Sequence, residues 1–226
     1  MTPVRIGECV WCGRVRPLTD DHVPPKSFFP VPRPNDLVTV PSCDECNRSW
    51  AADGDYARLA IVMSAAVESH PAATAVAEKA HRSLARPEQA RFTQSFLTAI
   101  QPRPVIHDGR AEIPSGAALT VDAPRIHRFA ARVIQGLYCS RTGTRLPDSH
   151  EAICFWLDGI APNKALAPGI YAIAEQLASL PATTIGAGAF GYRFLLEPSV
   201  PHLSFWLLHF YERLVFIGAT QPRGGA

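Results

Sequence analysis

No apolar run in the 226-residue sequence is long enough to cross a bilayer. The most apolar late stretch, Leu203 to Ile217, is interrupted by His209, Glu212 and Arg213 and reads as buried core. The first dozen residues, MTPVRIGECVWC, also lack the apolar segment of a signal peptide. A soluble cytoplasmic protein with no membrane partner is therefore expected. Neither sign of charge dominates: 22 Lys and Arg face 20 Asp and Glu, and a net +2 neither announces nor excludes a nucleic-acid partner. Lysine is scarce, so 19 of those cations are Arg, the side chain suited to bidentate phosphate contact. Internal repeats and long low-complexity segments are missing as well. Collagen, a long coiled coil and an acidic disordered chain are excluded by this balance. The length suits one large domain, or a small module joined to a larger one.

Four of the six cysteines are ordered. Cys9-Val10-Trp11-Cys12 and Cys43-Asp44-Glu45-Cys46 are two CxxC pairs separated by thirty residues. In a compartment that keeps thiols reduced, such pairs read as metal ligands rather than disulfides. Two thiolates at i and i+3 share one face of a tetrahedral ion, and a second pair completes the shell. Gly13 directly after the first pair permits the tight turn of a knuckle. A redox CxxC or unrelated buried thiols explains one pair but not two in so short a segment. Four thiolates close the shell, so the expected Zn²⁺ is structural, and it holds together a module too small to fold on apolar burial alone. Cys139 and Cys154 lack this spacing and read as ordinary buried thiols.

Between the pairs lies Thr19-Asp20-Asp21-His22-Val23-Pro24-Pro25-Lys26, and Asn47 follows Cys46 directly. Adjacent residues on an extended strand point to opposite sides. Asp21 could thus hold a metal while His22 faces a substrate, provided the local backbone twists both toward one phosphate. Asp and Asn oxygens are hard ligands suited to Mg²⁺ or Mn²⁺, and a neutral His beside them is a base for activating water. Nucleobase deaminases share some of these features, but their His-x-Glu has no counterpart here, since Pro24 stands two after His22.

The pattern CVWCG…DDHVPPKSFF…DLVTVPSCDECNRSW resembles the ββα-metal domain of HNH endonucleases with a four-cysteine structural zinc. The resemblance covers residues 9–56. It implies that His22 is the general base and that Asp21 and Asn47 are ligands of a catalytic divalent ion, Asn47 standing where the last signature histidine would be. The middle signature position departs from the pattern: the aligned residues are Asp36 and, one earlier, Asn35. Some members place an extra ligand where Asp53 or Asp55 stands; here both read as solvated or capping carboxylates.

The chain divides near residue 56. Beyond it Leu59, Val62, Met63, Ala66 and Val67 recur at helical spacing as far as Pro71. Further helices are expected at about 72–85, 87–100, 124–138 and 169–180. Residues 103–114 read as a hairpin turning at Asp108-Gly109. Strands are expected at 190–196, 203–210 and 213–219. The expected fold is α+β: an N-terminal treble-clef-like ββα-metal module at 1–56, then a larger helical region and a C-terminal antiparallel β segment at 57–226.

Residues 1–58 hold seven cations and eight anions, whereas Lys79 to Arg145 hold eleven cations and four anions. Arg125, Arg128 and Arg132, at helical spacing, are the candidates for contact with nucleic-acid backbone; a solvated helix face is the alternative. The sequence thus reads as an endonuclease acting on DNA, double-stranded rather than RNA, alone, as a homodimer or with a partner subunit. The competing reading is a non-catalytic zinc module that binds nucleic acid or a partner protein. The aromatic C-terminal side chains Phe205, Trp206, Phe210, Tyr211 and Phe216 are read as core before interface.

Overall fold

The computed structural model describes residues 5–102, 105–107, 110–112, 117–157 and 168–224. In chain order they form β1 (Arg5–Glu8), β2 (Val15–His22), β3 (Thr39–Cys43), α1 (Asp44–Ser49), α2 (Ala51–Val62), α3 (Pro71–Leu84) and α4 (Ala90–Thr98). Four three-residue strands follow: β4 (Ile100–Pro102), β5 (Val105–His107), β6 (Arg110–Glu112) and β7 (Ala117–Leu119). Then come α5 (Ala123–Thr142), β8 (His150–Trp156), α6 (Pro168–Ala178), β9 (Thr183–Ile185), β10 (Phe190–Leu196), β11 (Ser204–Phe210) and β12 (Leu214–Pro222). The expected mixture of helices and antiparallel sheets is what these residues form. One sheet has the order β1-β2-β3; a five-stranded one has the order β8-β12-β11-β10-β9.

Local chemistry sets the helix limits. Asp122 caps α5 by accepting from the Arg125 N–H at 3.1 Å, Pro124 sits in its first turn, and Gly143 ends it in the left-handed region. Helix α3 starts with Pro71 and is capped by the His70 ring. The helical run expected to reach Pro71 instead stops at Val62, because Ser64 caps a separate 3-10 turn at Ala65–Val67. The helix expected at 87–100 is likewise split into a 3-10 turn at Pro87–Gln89 and α4, with Ile100 already in β4. Of the hairpin expected at 103–114, β5 and β6 pair with His107 opposite Arg110, and the turn residues 108–109 lie outside the described residues.

Helix α5 organises the packing. Its apolar face, including Ile126, Phe129, Val133, Ile134 and Leu137, is fully buried. Phe129 stacks on Phe28 at 5.0 Å and on Trp50 at 5.9 Å from the N-terminal segment, and lies 6.1 Å from Phe210 of β11. Alternation along β11 turns Trp206, Leu208 and Phe210 into this core and Leu207 toward Leu177 of α6 on the other face. The division expected near residue 56 falls inside α2, and side chains from both sides of it enter the same core.

Two contacts fix the N-terminal segment to the rest. A Cβ at Gly136 would lie 2.7 Å from Val23 and 3.1 Å from Trp11, so only glycine lets α5 approach this closely. At the β11–β12 turn, Tyr211 and Glu212 both take left-handed backbone angles, which costs an L-residue roughly 1 kcal/mol each. Tyr211 is fully buried there, and its hydroxyl donates to the Phe28 carbonyl at 2.8 Å. Gly136→Val is expected to lower unfolding free energy by about 1–3 kcal/mol through overpacking against Val23. Urea denaturation would measure this; an unchanged midpoint would show that the contact yields without strain.

Candidate metal centre and adjoining cleft

The two knuckles are built at strand ends. Cys9 and Cys12 occupy the turn between β1 and β2, which Gly13 closes at φ +68° with its N–H on the Cys9 carbonyl at 2.9 Å. Cys43 ends β3 and leads into α1, whose first turn carries Cys46. The β2–β3 ladder sets Leu18 opposite Cys43 and thereby draws the knuckles together. All four Sγ atoms lie within 4.8 Å of one another, so the cysteines are placed to hold one metal ion, and zinc with bonds of about 2.3 Å suits this donor set. Burial pushes the Cys9 thiol up, but N–H groups of Cys43, Cys12 and Trp11 outweigh it and hold it at about 7. The Cys43 N–H lies 3.3 Å from that sulfur. Burial pushes the Cys46 thiol up. Cys139 and Cys154 stand apart from the cluster.

Beside the cluster, Arg132 of α5 enters from across the chain. Its guanidinium carbon lies 4.0 Å from the Trp11 ring centroid and 4.3 Å from that of Trp50. One nitrogen donates to the Cys46 carbonyl at 2.7 Å and lies 3.8 Å from Asp21 Oδ2. The Trp11 indole N–H donates to the same Asp21 oxygen at 3.0 Å. Asp21 is only 5% exposed. Burial raises its pKa, while Arg132, Trp11 and Trp50 oppose that. Burial also brings the Arg132 pKa down to about 10, with Asp21 and the thiols resisting.

Asp21, His22 and Asn47 line one cleft of about 350 Å³, together with Asp20, Lys26 and Asp55. Strand alternation sends Asp21 inward, while His22, at the end of β2, is half-exposed. Burial and, after it, Lys26 pull the His22 imidazole below its usual value; Asp21 and Asp20 pull the other way. Asn47 is held by helix α1, its amide nitrogen 3.5 Å from the Thr19 hydroxyl.

The remaining candidates are placed elsewhere. Asp36 accepts from the Gly186 N–H at 3.4 Å, which ties its loop to the C-terminal sheet; Asn35 beside it is exposed. The arginine row of α5 faces the N-terminal module. Arg125 binds Asp53 at 2.5 Å and the Ala52 carbonyl, and covers the Tyr56 ring. Arg132 is held by the contacts described above, its side chain 19% exposed on the wall of a separate cleft that Arg128 also lines. Arg128, 3.4 Å from Asp53, is the exposed one of the three. Asp53 is thus an internal partner of α5 rather than a solvated group, and Asp55 pairs with Arg58 at 3.1 Å on the cleft wall. Sequence reasoning missed Trp11, Trp50 and the inward role of Arg132. A tryptophan inside a CxxC was the available signal, since a knuckle exposes its two central residues unless something packs on them. Comparison of the chain with protein families, with characterised proteins and with solved structures finds no match in any of the three.

One zinc per chain is expected by atomic emission, falling well below one in Cys43→Ser; wild-type protein free of zinc after expression in zinc-replete medium would refute the centre. Arg132→Met leaves a buried carboxylate without its cation and is expected to cost about 3 kcal/mol of stability. Repeating it in Asp21→Asn protein should recover at least about 1 kcal/mol of that loss, a coupling that a double-mutant cycle reads directly.

Proposed function

We propose that the chain is a metal-dependent endonuclease of the HNH type that hydrolyses phosphodiester bonds of DNA. The observation that carries this reading is that Asp21, His22 and Asn47 line one cleft, beside four thiols spaced for a structural zinc. The zinc ligands bracket the site: Cys43 and Cys46 set the start of α1 and so place Asn47, and the β2–β3 ladder places Asp21 and His22.

In this reading His22, kept neutral by burial and nearby cations, accepts a proton from the water that attacks phosphorus in line. Asp21 and Asn47 offer a carboxylate and an amide oxygen, a hard donor set that fits Mg²⁺ or Mn²⁺, with Asp20 and Asp55 adding negative charge to the same cleft. Such an ion would supply electrostatic stabilisation of the charge that develops on the phosphate and the leaving 3′ oxygen. Trp11 and Arg132 both meet Asp21 at Oδ2, which fixes the orientation of the carboxylate before any ligand arrives. Products with 5′-phosphate and 3′-hydroxyl ends follow from the resemblance.

A second reading, a non-catalytic zinc module that binds nucleic acid or a partner protein, draws on one observation. Asp21 is almost wholly buried and already occupied by Trp11 and Arg132, as a purely structural carboxylate would be.

The two are separated by incubating supercoiled plasmid with the purified chain and Mg²⁺ or Mn²⁺. The endonuclease reading expects nicking that falls by about 10²-fold or more in His22→Ala while zinc content stays at one per chain. Equal cleavage by the two proteins would sink the mechanism. Absence of cleavage with every divalent ion would favour the binding module, and preference for RNA would reassign the substrate.

A further inference from the structure

Asp55 lies on the wall of two clefts at once. One is the cleft of His22 and Asn47; the other, about 230 Å³, forms where α2 meets α3 and the start of α4. The two differ sharply in charge. Asp20, Asp21 and Asp55 line the first against a single cation, Lys26. Arg58, Lys79 and Arg86 line the second, with Asp55 the one carboxylate on its wall.

These cations are under-used within the chain. Lys79 and Arg86 are exposed, and neither side chain has a hydrogen-bond or ion-pair partner among the described residues. The Arg58 side chain is 14% exposed, its one ion pair among the described residues is with Asp55, and its buried Nε has no acceptor among them. A polyanion approaching the carboxylate-rich cleft would be repelled there, yet attracted by the row of cations immediately beside it. Two clefts joined at one residue and opposite in charge suit a chain of phosphates better than a single small anion.

We propose that the second cleft is the strand-docking subsite of the nuclease cleft, where Arg58, Lys79 and Arg86 take backbone phosphates flanking the one presented to His22. The proposal rests on the endonuclease reading for what happens to the docked strand, not for the docking. No group that reads base edges is involved, so the contact is independent of sequence. It sets the nucleic-acid contact on α2, α3 and the Arg86 segment rather than on Arg125 and Arg132 of α5, which are engaged within the chain.

The test measures binding apart from cutting. Affinity of His22→Ala protein for a fluorescent DNA duplex is followed by anisotropy, without added Mg²⁺ or Mn²⁺, across a salt series. Adding Lys79→Gln and Arg86→Gln is expected to weaken binding about tenfold or more near 0.1 M salt. The slope of log affinity against log salt should also become shallower by about 2, whatever the duplex sequence. Arg82→Gln with Arg91→Gln removes the same charge from exposed positions outside the cleft, and should leave the slope nearly unchanged. An equal effect of both pairs, no effect of the cleft pair, or no DNA binding by the parent protein would overturn the proposal. A chain that binds through the cleft pair but cuts nothing would uphold the docking site and remove the endonuclease reading. One that cuts, with binding indifferent to the cleft pair, would do the reverse.

Discussion

The Arg132 guanidinium lies over the rings of both Trp11 and Trp50, with the Cys46 carbonyl on one nitrogen and the Asp21 carboxylate close by. Trp11 belongs to the first knuckle, Cys46 to the second, Trp50 to the start of α2, and Asp21 to β2. A single side chain of α5 thus touches both knuckles, β2 and the start of α2. Four thiolates can hold two knuckles together, but they do not orient Asp21, which lies beyond the ligand shell. Cation–aromatic contact gains strength when desolvated, and here the same burial that strengthens it makes Asp21 dependent on Arg132 for its charge. The module and the larger region are accordingly coupled in energy as well as in packing, with Phe129 on the same helix extending the coupling to the C-terminal sheet.

Much of this was readable in the residues. The paired CxxC spacing indicated one four-thiol cluster, and the structure brings those four sulfurs together. Periodicity located α5 and α6 to within a few residues, because each has one apolar face against a polar one, and the apolar run before Glu-Pro-Ser-Val-Pro located β10 to its limits. Helix α2 was misread because Tyr56, Ala57, Leu59, Ala60, Ile61 and Val62 are all buried. From Tyr56 to Val62 only Arg58 interrupts the apolar run, so the pattern has no clear period by which to find the start of the helix. β8 was not recognised as a strand, although Cys154 and Trp156 are buried and alternate with exposed Phe155.

The site divides along the same line. Asp21, His22 and Asn47 could be named from order and spacing, and all three line one cleft. The arginines of α5 could be named but not aimed. Whether a row at i, i+3 and i+7 faces solvent depends on what packs over it, and the partners of Arg132 come from 86 residues away at Cys46 and farther still at Trp11 and Asp21. Charge counts showed an excess of cations between Lys79 and Arg145, yet gave no sign that part of it was spent internally on Asp53 and Asp21.

The bond from Tyr211 to the Phe28 carbonyl spans 183 residues of chain. Both knuckles precede α5 and the β11–β12 hairpin in the order of synthesis. Asp21 then waits for its cation until α5 emerges, and the loop after His22 waits for its donor until the last hairpin closes. The cleft therefore depends on segments that follow both knuckles in the chain, and a chain cut short before α5 would keep the four thiols without a completed cleft.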